Sequence, residues 1–267
     1  MITDDMLKHT IIYKKLGETP LEALERYRAE QLIHADKKDD QNLVTFWKSV
    51  PMTYAGRLDP MAEGELLILI GDECKNKEKY LGLDKEYEVE ILFGIETDTY
   101  DTLGLAVEGK GGVLDSESID NTLTKYRGRF GQEYPPYSSK TVGGKQLHEL
   151  ARAGELPEEM PVKEVEIYDI EMLGIEPISS KVLRERIDAA LANVRGDFRQ
   201  QEIVDRWRHI LAQERIYTVA KVRVRCSSGT YMRSLAHRIG IELGTGACAL
   251  SIKRTKIIPP HHIPVLL

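Results

Sequence analysis

Residues 56–64 read Gly-Arg-Leu-Asp-Pro-Met-Ala-Glu-Gly. A single carboxylate, Asp59, stands between Leu58 and Pro60, with Gly56 before it and Gly64 after it. Pro60 lacks a backbone N–H and disfavours the helical region at the preceding residue, so Asp59 belongs on a turn or an extended loop. The glycines permit tight turns and close approach of a ligand to the backbone. The apolar run Leu66-Leu67-Ile68-Leu69-Ile70 follows and should be buried. A carboxylate on a stiff loop beside a core element suits a chemical site, although spacing alone also fits a turn carrying a solvated aspartate.

Upstream of this stretch, residues 9–13 read as a short strand. Thr19-Pro20-Leu21-Glu22 combines an N-cap threonine, a proline at the first helical position and a glutamate closing a capping box. The charged residues 35–42 read as a loop. Downstream, Tyr87, Val89, Ile91 and Phe93 alternate with Glu86, Glu88, Glu90 and Leu92, giving a period-two strand with one largely acidic face. Gly109, Gly111 and Gly112 mark a turn, short helices are expected over 122–126 and 146–152, and a β-rich run over 162–174. Leu183, Ile187, Leu191, Val194 and Phe198, then Ile203, Trp207, Ile210 and Leu211, recur at helical spacing. They predict two helices broken near Gly196, with Asp197-Phe198-Arg199-Gln200 as a second capping box. Residues 220–226 alternate apolar positions with Lys221, Arg223 and Arg225, a half-buried strand with a basic face, and 232–243 reads as a helix.

Four stretches, in order, resemble one family. Gly56 to Gly64 is similar to the catalytic-aspartate motif of the TruB-type tRNA pseudouridine synthases. Lys85-Glu86-Tyr87 with Phe93-Gly94, then Thr97-Asp98-Thr99-Tyr100-Asp101-Thr102-Leu103-Gly104, resembles that family's K-x-Y strand and the loop after it. Tyr134-Pro135-Pro136-Tyr137-Ser138-Ser139-Lys140, Gly144-Lys145 and Leu147 to Gly154 resemble its RNA-contacting insert. Cys226-Ser227-Ser228-Gly229-Thr230-Tyr231-Met232-Arg233 resembles its C-S-x-G-T-Y-x-R motif. The resemblance implies an α+β pseudouridine synthase fold: a central mixed, largely antiparallel sheet with flanking helices and loops. It implies one catalytic domain over 1–267, with the RNA-contacting insert near 123–152. Residues 181–215 have no counterpart in the usual pattern and read as a helical insertion. Many relatives continue into a small C-terminal RNA-binding (PUA) domain, and with so little sequence after Lys256 no such domain is expected here.

Length is compatible with one large domain or two small ones, and composition is ordinary for a globular protein. Cys74, Cys226 and Cys248 lack C-x-x-C spacing, which argues against a zinc site or a disulfide framework and for buried thiols. No run of about 18 apolar residues and no apolar N-terminal segment is present, so the expectation is a soluble, unprocessed, cytoplasmic protein without membrane association. The net charge of −6 is awkward for an RNA-binding protein, but it is uneven. Residues 216–267 carry +7 and residues 123–152 carry +4, leaving −17 on the remaining 185. A local positive surface can bind phosphate while the rest of the molecule repels it.

The resemblance also implies the chemistry. Pseudouridine formation breaks the bond between C1′ and N1 of a uridine, turns the base and rejoins it through C5. The rearrangement imports nothing, so no cofactor or metal is expected. Asp59 would act beside C1′ and C2′, Arg233 would be the opposite charge favouring its ionised form, and Tyr87 would stack on the base. Tyr231 and Ile252 match positions lining the uracil pocket. Lys14, Lys140, Lys145, Arg225, Lys253 and Arg254 are the expected phosphate contacts, which position RNA without reading its sequence. The family usually has a histidine three residues upstream of the Arg/Ala-Leu-Asp, and Tyr54 occupies that place. Tyrosine also stacks and hydrogen-bonds, so Tyr54 would wedge into the T-loop. Arg57 gives the local resemblance a ribosomal-RNA flavour as well. The expected partner is therefore the T-arm of tRNA, with isomerisation of the T-loop uridine as the function and no obligate protein partner. The alternatives are the same chemistry on ribosomal or another structured RNA, or a non-catalytic RNA-binding or RNA-folding protein.

Overall fold

A computed structural model describes residues 8–110 and 114–258. In chain order the strands are β1 (His9–Lys14), β2 (Met52–Ala55), β3 (Ala62–Ile70), β4 (Asp84–Phe93), β5 (Ile95–Thr97), β6 (Ala106–Glu108), β7 (Gly128–Glu133), β8 (Thr141–Val142), β9 (Lys145–Gln146), β10 (Val162–Ser179), β11 (Ile216–Cys226) and β12 (Ala247–Ile258). The α-helices are α1 (Pro20–Lys37), α2 (Gln41–Ser49), α3 (Lys77–Leu81), α4 (Ser116–Thr124), α5 (Leu147–Ala153), α6 (Ser180–Leu191), α7 (Gln200–Ile210) and α8 (Met232–Glu242).

Eight strands form the central sheet in the order β1-β3-β12-β4-β11-β10-β7, with β2 also on β3. The β3–β12 pair is parallel and the other pairs are antiparallel. The mixed, largely antiparallel α+β architecture is thus the expected one. One edge of β3 is shared: its first residues, Ala62 to Gly64, pair with β12, and its last, Leu67 to Ile70, pair with β2. The loop 56–61 connects β2 to β3 at this junction, beside β12.

Side-chain alternation on β4 divides the molecule. Tyr87, Val89, Ile91 and Phe93 face a core shared with α4 and α8, while Leu92 faces a second core under α6 and α7. On the side opposite Tyr87, register aligns Glu86, Glu88 and Glu90 with Arg225, Arg223 and Lys221 of β11, and with Lys256, Lys253 and Ser251 of β12. Lys221 Nζ lies 3.0 Å from Glu88, and Arg223 lies 3.1 Å from Glu171 of β10. The hydrogen bond from Lys221 holds the Glu88 carboxyl below the usual range, aided by the charges of Lys221, Arg223 and Lys253. The acidic and basic faces read separately in the sequence therefore meet across strands.

Two local expectations are corrected. Residues 35–42 are not one loop: α1 runs to Lys37, and Asp40 caps α2 by accepting from Asn42 and Leu43 N–H. Charged residues there clothe helix ends. At the second hairpin helix the N-cap is Arg199, in the left-handed region at φ 60, and no capping box forms. The Gln200 amide instead accepts from Phe198 N–H and donates to Gly196 O. Of the expected glycine turn, Gly111 and Gly112 lie outside the described residues, and Gly109 donates to Gly94 O at 2.9 Å.

Candidate active site

The loop bearing Asp59 is fastened from several sides. Leu58 and Met61 are buried anchors around it. Ala62 N–H donates to Asp59 O at 3.0 Å, and Gly17 N–H donates to Pro60 O at 2.9 Å. The Arg254 guanidinium donates to Glu65 O at 2.6 Å and to Arg57 O and Gly56 O at 3.3 Å each. Lys14 Nζ donates to Ala62 O at 2.5 Å. Gly64 has φ 112, and a Cβ there would lie 2.1 Å from Arg254 O, so only glycine lets β3 and β12 approach so closely.

Arg233, at the start of α8, reaches this loop. Its Nε lies 2.8 Å from Asp59 Oδ2 and 3.6 Å from Asp101 Oδ2. The Nε contact with Asp59 is an ion pair without good hydrogen-bond alignment. Nη1 donates to Thr99 O at 2.8 Å and Nη2 to Tyr137 O at 3.3 Å. The Arg233 side chain is 3% exposed and that of Asp59 is 40% exposed, so the carboxylate is open to a ligand while its partner is not. Burial opposes the charge of Arg233, but Asp59 and Asp101 outweigh it, and the guanidinium is held charged. Burial raises the Asp101 carboxyl to about 6 against the pull of Arg233, with Thr99 Oγ1 and Leu103 N–H donating to it.

A cleft of about 610 Å³ opens over Asp59, within the size range of ligand sites. Tyr54, Arg57, Tyr87, Tyr231, Arg233 and Ile252 all line it. Burial pushes the Tyr87 phenol up, with Asp59 among the charges it feels, so the hydroxyl keeps its proton near neutral pH. Tyr231 is raised to about 12 by burial and by Asp59, and its backbone is braced on both sides by the buried Gln132. Lys77 Nζ lies 5.2 Å from the centre of the Tyr54 ring.

The expected phosphate contacts divide. Lys140 and Lys145 are exposed on the segment that carries β8, β9 and α5, Lys140 over the Tyr134 ring and Lys145 beside Glu155. Lys14 is 0% exposed, and Arg254 is buried with it; both spend their donors on backbone carbonyls, so neither is the surface phosphate contact expected. Arg225 and Lys253 are exposed but share the strand face of Glu86 and Glu88, opposite Tyr87, and do not line the cleft. Side-chain alternation at these two positions overrides the charge pattern. The cations that do line the cleft include Arg57, Lys85, Arg152 and Arg199. Sequence reasoning passed over them as site residues, along with Asp101. Asp101 and Lys85 lie within quoted motifs, whereas nothing local marks Arg199.

Among the described residues no group of His, Cys, Asp and Glu could hold a metal ion, and no helix is long and apolar enough to cross a membrane.

Known proteins share the fold and much of the sequence. A chain in a crystal structure of a Cbf5-Nop10-Gar1 complex shares the fold, with a TM-score of 0.54 at 17% identity over 93% of this chain and 48% of its own. A second such chain, from an H/ACA RNP bound to a substrate RNA containing 2′-deoxyuridine, aligns with a TM-score of 0.51 at 18% identity over 93% of this chain and 47% of its own. The tRNA pseudouridine synthase B of Aquifex aeolicus (strain VF5) is 33% identical over 204 residues, 76% of this chain and 58% of that protein. The enzyme of the same name from Francisella tularensis subsp. novicida (strain U112) is 31% identical over 221 residues, 82% of this chain and 60% of its own length. The chain thus spans less than two thirds of these relatives. Residues 46–189 match the family model "TruB family pseudouridylate synthase (N terminal domain)", more than half of the sequence and inclusive of the Asp59 loop, and on that match the chain belongs to the TruB family.

Proposed function

We propose that this protein is a tRNA pseudouridine synthase that isomerises the T-loop uridine, with Asp59 acting at the sugar and Tyr87 and Arg233 as its catalytic partners. The observation that carries the reading is the 2.8 Å contact of Asp59 with a buried Arg233 in a cleft lined by Tyr87 and Tyr231. In the reaction the C1′–N1 bond breaks, the base turns, a C1′–C5 bond forms, C5 gives up its hydrogen and N1 gains one. Atoms and electrons balance within the nucleotide, so the rearrangement calls for no co-reactant.

Asp59 would either attack C1′ or take the 2′ hydrogen to leave a glycal. Both routes need a carboxylate, and Arg233 supplies its counter-charge. Extruding the uridine from a folded loop costs a few kcal/mol, and stacking on an aromatic ring offsets about 1–3 kcal/mol of it. Tyr87 and Tyr231 are the available rings, Ile252 an apolar wall, and Tyr54 the wedge at the mouth. Arg57, Arg152, Lys140 and Lys145 would take the phosphates of the T-arm, with residues 123–152 gripping the RNA. The substrate would be met in the cytoplasm, where tRNA is matured.

The test is incubation with a tRNA transcript followed by chemical mapping of pseudouridine. The expected result is one modified T-loop uridine with the wild type and none with Asp59→Ala. An active preparation giving no T-loop signal, or an Asp59→Ala signal equal to wild type, overturns the reading. Tyr54 in place of the family's histidine favours a second reading, the same chemistry on ribosomal or another structured RNA. Mapping total RNA from a deletion strain decides between the two. A purely RNA-binding or RNA-folding role would be favoured if Asp59→Asn left every cellular role intact.

A further inference from the structure

We infer that the α6–α7 hairpin is a buttress for the loop that holds Arg233 against Asp59, and that Arg199 is its positioning residue. The inference rests on the proposed activity. The family match ends at residue 189, inside α6, so α7 and Arg199 lie beyond it.

Three side chains of the second half of the hairpin reach residues 98–106. Arg199 Nη2 lies 2.9 Å from Asp98 Oδ2. Trp207, fully buried, donates from Nε1 to Thr102 O at 3.1 Å. Arg206 Nε donates to Ala106 O at 2.7 Å. Leu103 packs in the same core as Ile203 and Trp207. The loop so held supplies Thr99 O and Asp101, the two loop groups that contact Arg233. A mechanical chain therefore runs from Arg199 through Asp98, Thr99 and Arg233 to Asp59.

Backbone strain points to the same place. Among the described residues only Asp39, Tyr100 and Arg199 are non-glycine residues at positive φ. Tyr100 at φ 66 follows Asp98 by two residues, and Arg199 at φ 60 holds the other end of the Asp98 ion pair. An aromatic residue and an arginine persist in the left-handed region only where their surroundings over-determine them. Asp98 Oδ1 accepts from Leu105 N–H at 2.7 Å while Oδ2 meets Arg199, so one carboxylate closes the loop and ties it to the hairpin. Arg199 also lies over the Tyr137 ring at 4.8 Å, and Tyr137 O accepts from Arg233. The connection between α6 and α7 that ends at Arg199 also packs against Gly17 through Asn193. A Cβ on Gly17 would come within 2.4 Å of Asn193 O, and Gly17 N–H is the group that donates to Pro60 O beside Asp59.

The experiment compares wild type, Arg199→Ala, Arg199→Lys, Asp98→Asn and the Arg199→Ala/Asp98→Asn double variant. Both of the residues changed are part-exposed, so the variants should fold. Two readouts are taken: hydrogen exchange of the Leu103 and Leu105 amides, and kcat and KM on tRNA transcript. The expected result is faster exchange in Arg199→Ala and Asp98→Asn, and kcat down roughly ten- to a hundredfold with KM within about twofold. Arg199→Lys should recover part of the rate, and the double variant should be no worse than either single one. Unchanged exchange overturns the buttress. Faster exchange with unchanged kcat overturns the positioning role. A raised KM at constant kcat makes Arg199 an RNA contact instead and also overturns it. If the wild type modifies no RNA, the proposed activity fails by itself, and the exchange data still decide whether the hairpin holds the loop.

Discussion

The replacement Arg254→Met tests whether a buried cation sets the shape of the Asp59 loop. Arg254 is buried, and its guanidinium bonds to three carbonyls: Glu65 O at 2.6 Å, and Arg57 O and Gly56 O at 3.3 Å each. The short charge-assisted bond is worth about 1.5–3 kcal/mol and each long one about 0.5 kcal/mol or somewhat more. Methionine keeps the apolar stem and leaves the carbonyls without their donor. Removal of a buried positive charge offsets part of the loss, since Arg254 is one of the charges opposing protonation of Lys14 and Lys85. The net expectation is a loss of about 2–4 kcal/mol. In a chain of this size each kcal/mol moves Tm by about 2–4 °C, so Tm should fall by roughly 5–15 °C. Calorimetry reads this directly. The variant should also lose kcat, because Gly56 O and Arg57 O belong to the loop that presents Asp59. A Tm within about 2 °C of wild type would mean that the loop holds its conformation without Arg254, and would refute the reasoning.

Asp101 has a folded pKa of about 6 against an ordinary 3.8, so the folded state binds its proton more tightly than the unfolded state. Wild type should therefore lose stability relative to Asp101→Asn as pH rises from about 4 to about 6, by about 3 kcal/mol across the span, and the difference should be flat above it. Lys14 is lowered to about 8 from 10.5, chiefly by burial, so its charged form is penalised in the folded state. Wild type should gain stability relative to Lys14→Met as pH rises from about 8 to about 10, at about 1.4 kcal/mol per pH unit; denaturant titrations at stepped pH check both. Arg225→Ala and Lys253→Ala change the face opposite the cleft and should leave KM for tRNA within about twofold, whereas Arg152→Ala, on the cleft wall, should raise it and shallow the salt dependence by about one unit.

Much of the sheet was legible because alternation survives in the letters. Tyr87 to Ile91 and Ala220 to Cys226 each carry a strict period of two, and both are strands with the expected buried face. Thr19-Pro20-Leu21-Glu22 capped a helix as its chemistry requires. What failed was reasoning about segments whose conformation is set from a distance. The left-handed backbone of Arg199 is held by Asp98 and Tyr137, remote in sequence, and its local letters mimic a capping box that does not form. The charged stretch around Asp36 to Asp40 looked like a loop because charge reports exposure, and exposure is common to loops and to helix ends.

The expected phosphate contacts carry the more general point. Lys14, Arg225, Lys253 and Arg254 were grouped by sign, yet a strand sends neighbours to opposite faces, and sign carries no information about face. Lys253 and Arg254 are adjacent: one is exposed beside Glu88, the other buried beside Tyr87. The +7 of residues 216–267 is consequently not one RNA-binding surface. Part of it is balanced by β4 acids across the sheet, part is buried under the Asp59 loop, and Arg233 is balanced by Asp59 and Asp101. The exposed cations of the cleft wall include Arg57 and Arg152, near a carboxylate that remains open to solvent, and Lys140 and Lys145 are exposed on the segment leading into α5, Lys145 paired with Glu155. On the proposed activity, this division would reconcile an acidic protein with a polyanionic substrate: the exposed cations would meet the backbone, while the buried cations fix the loop that presents Asp59.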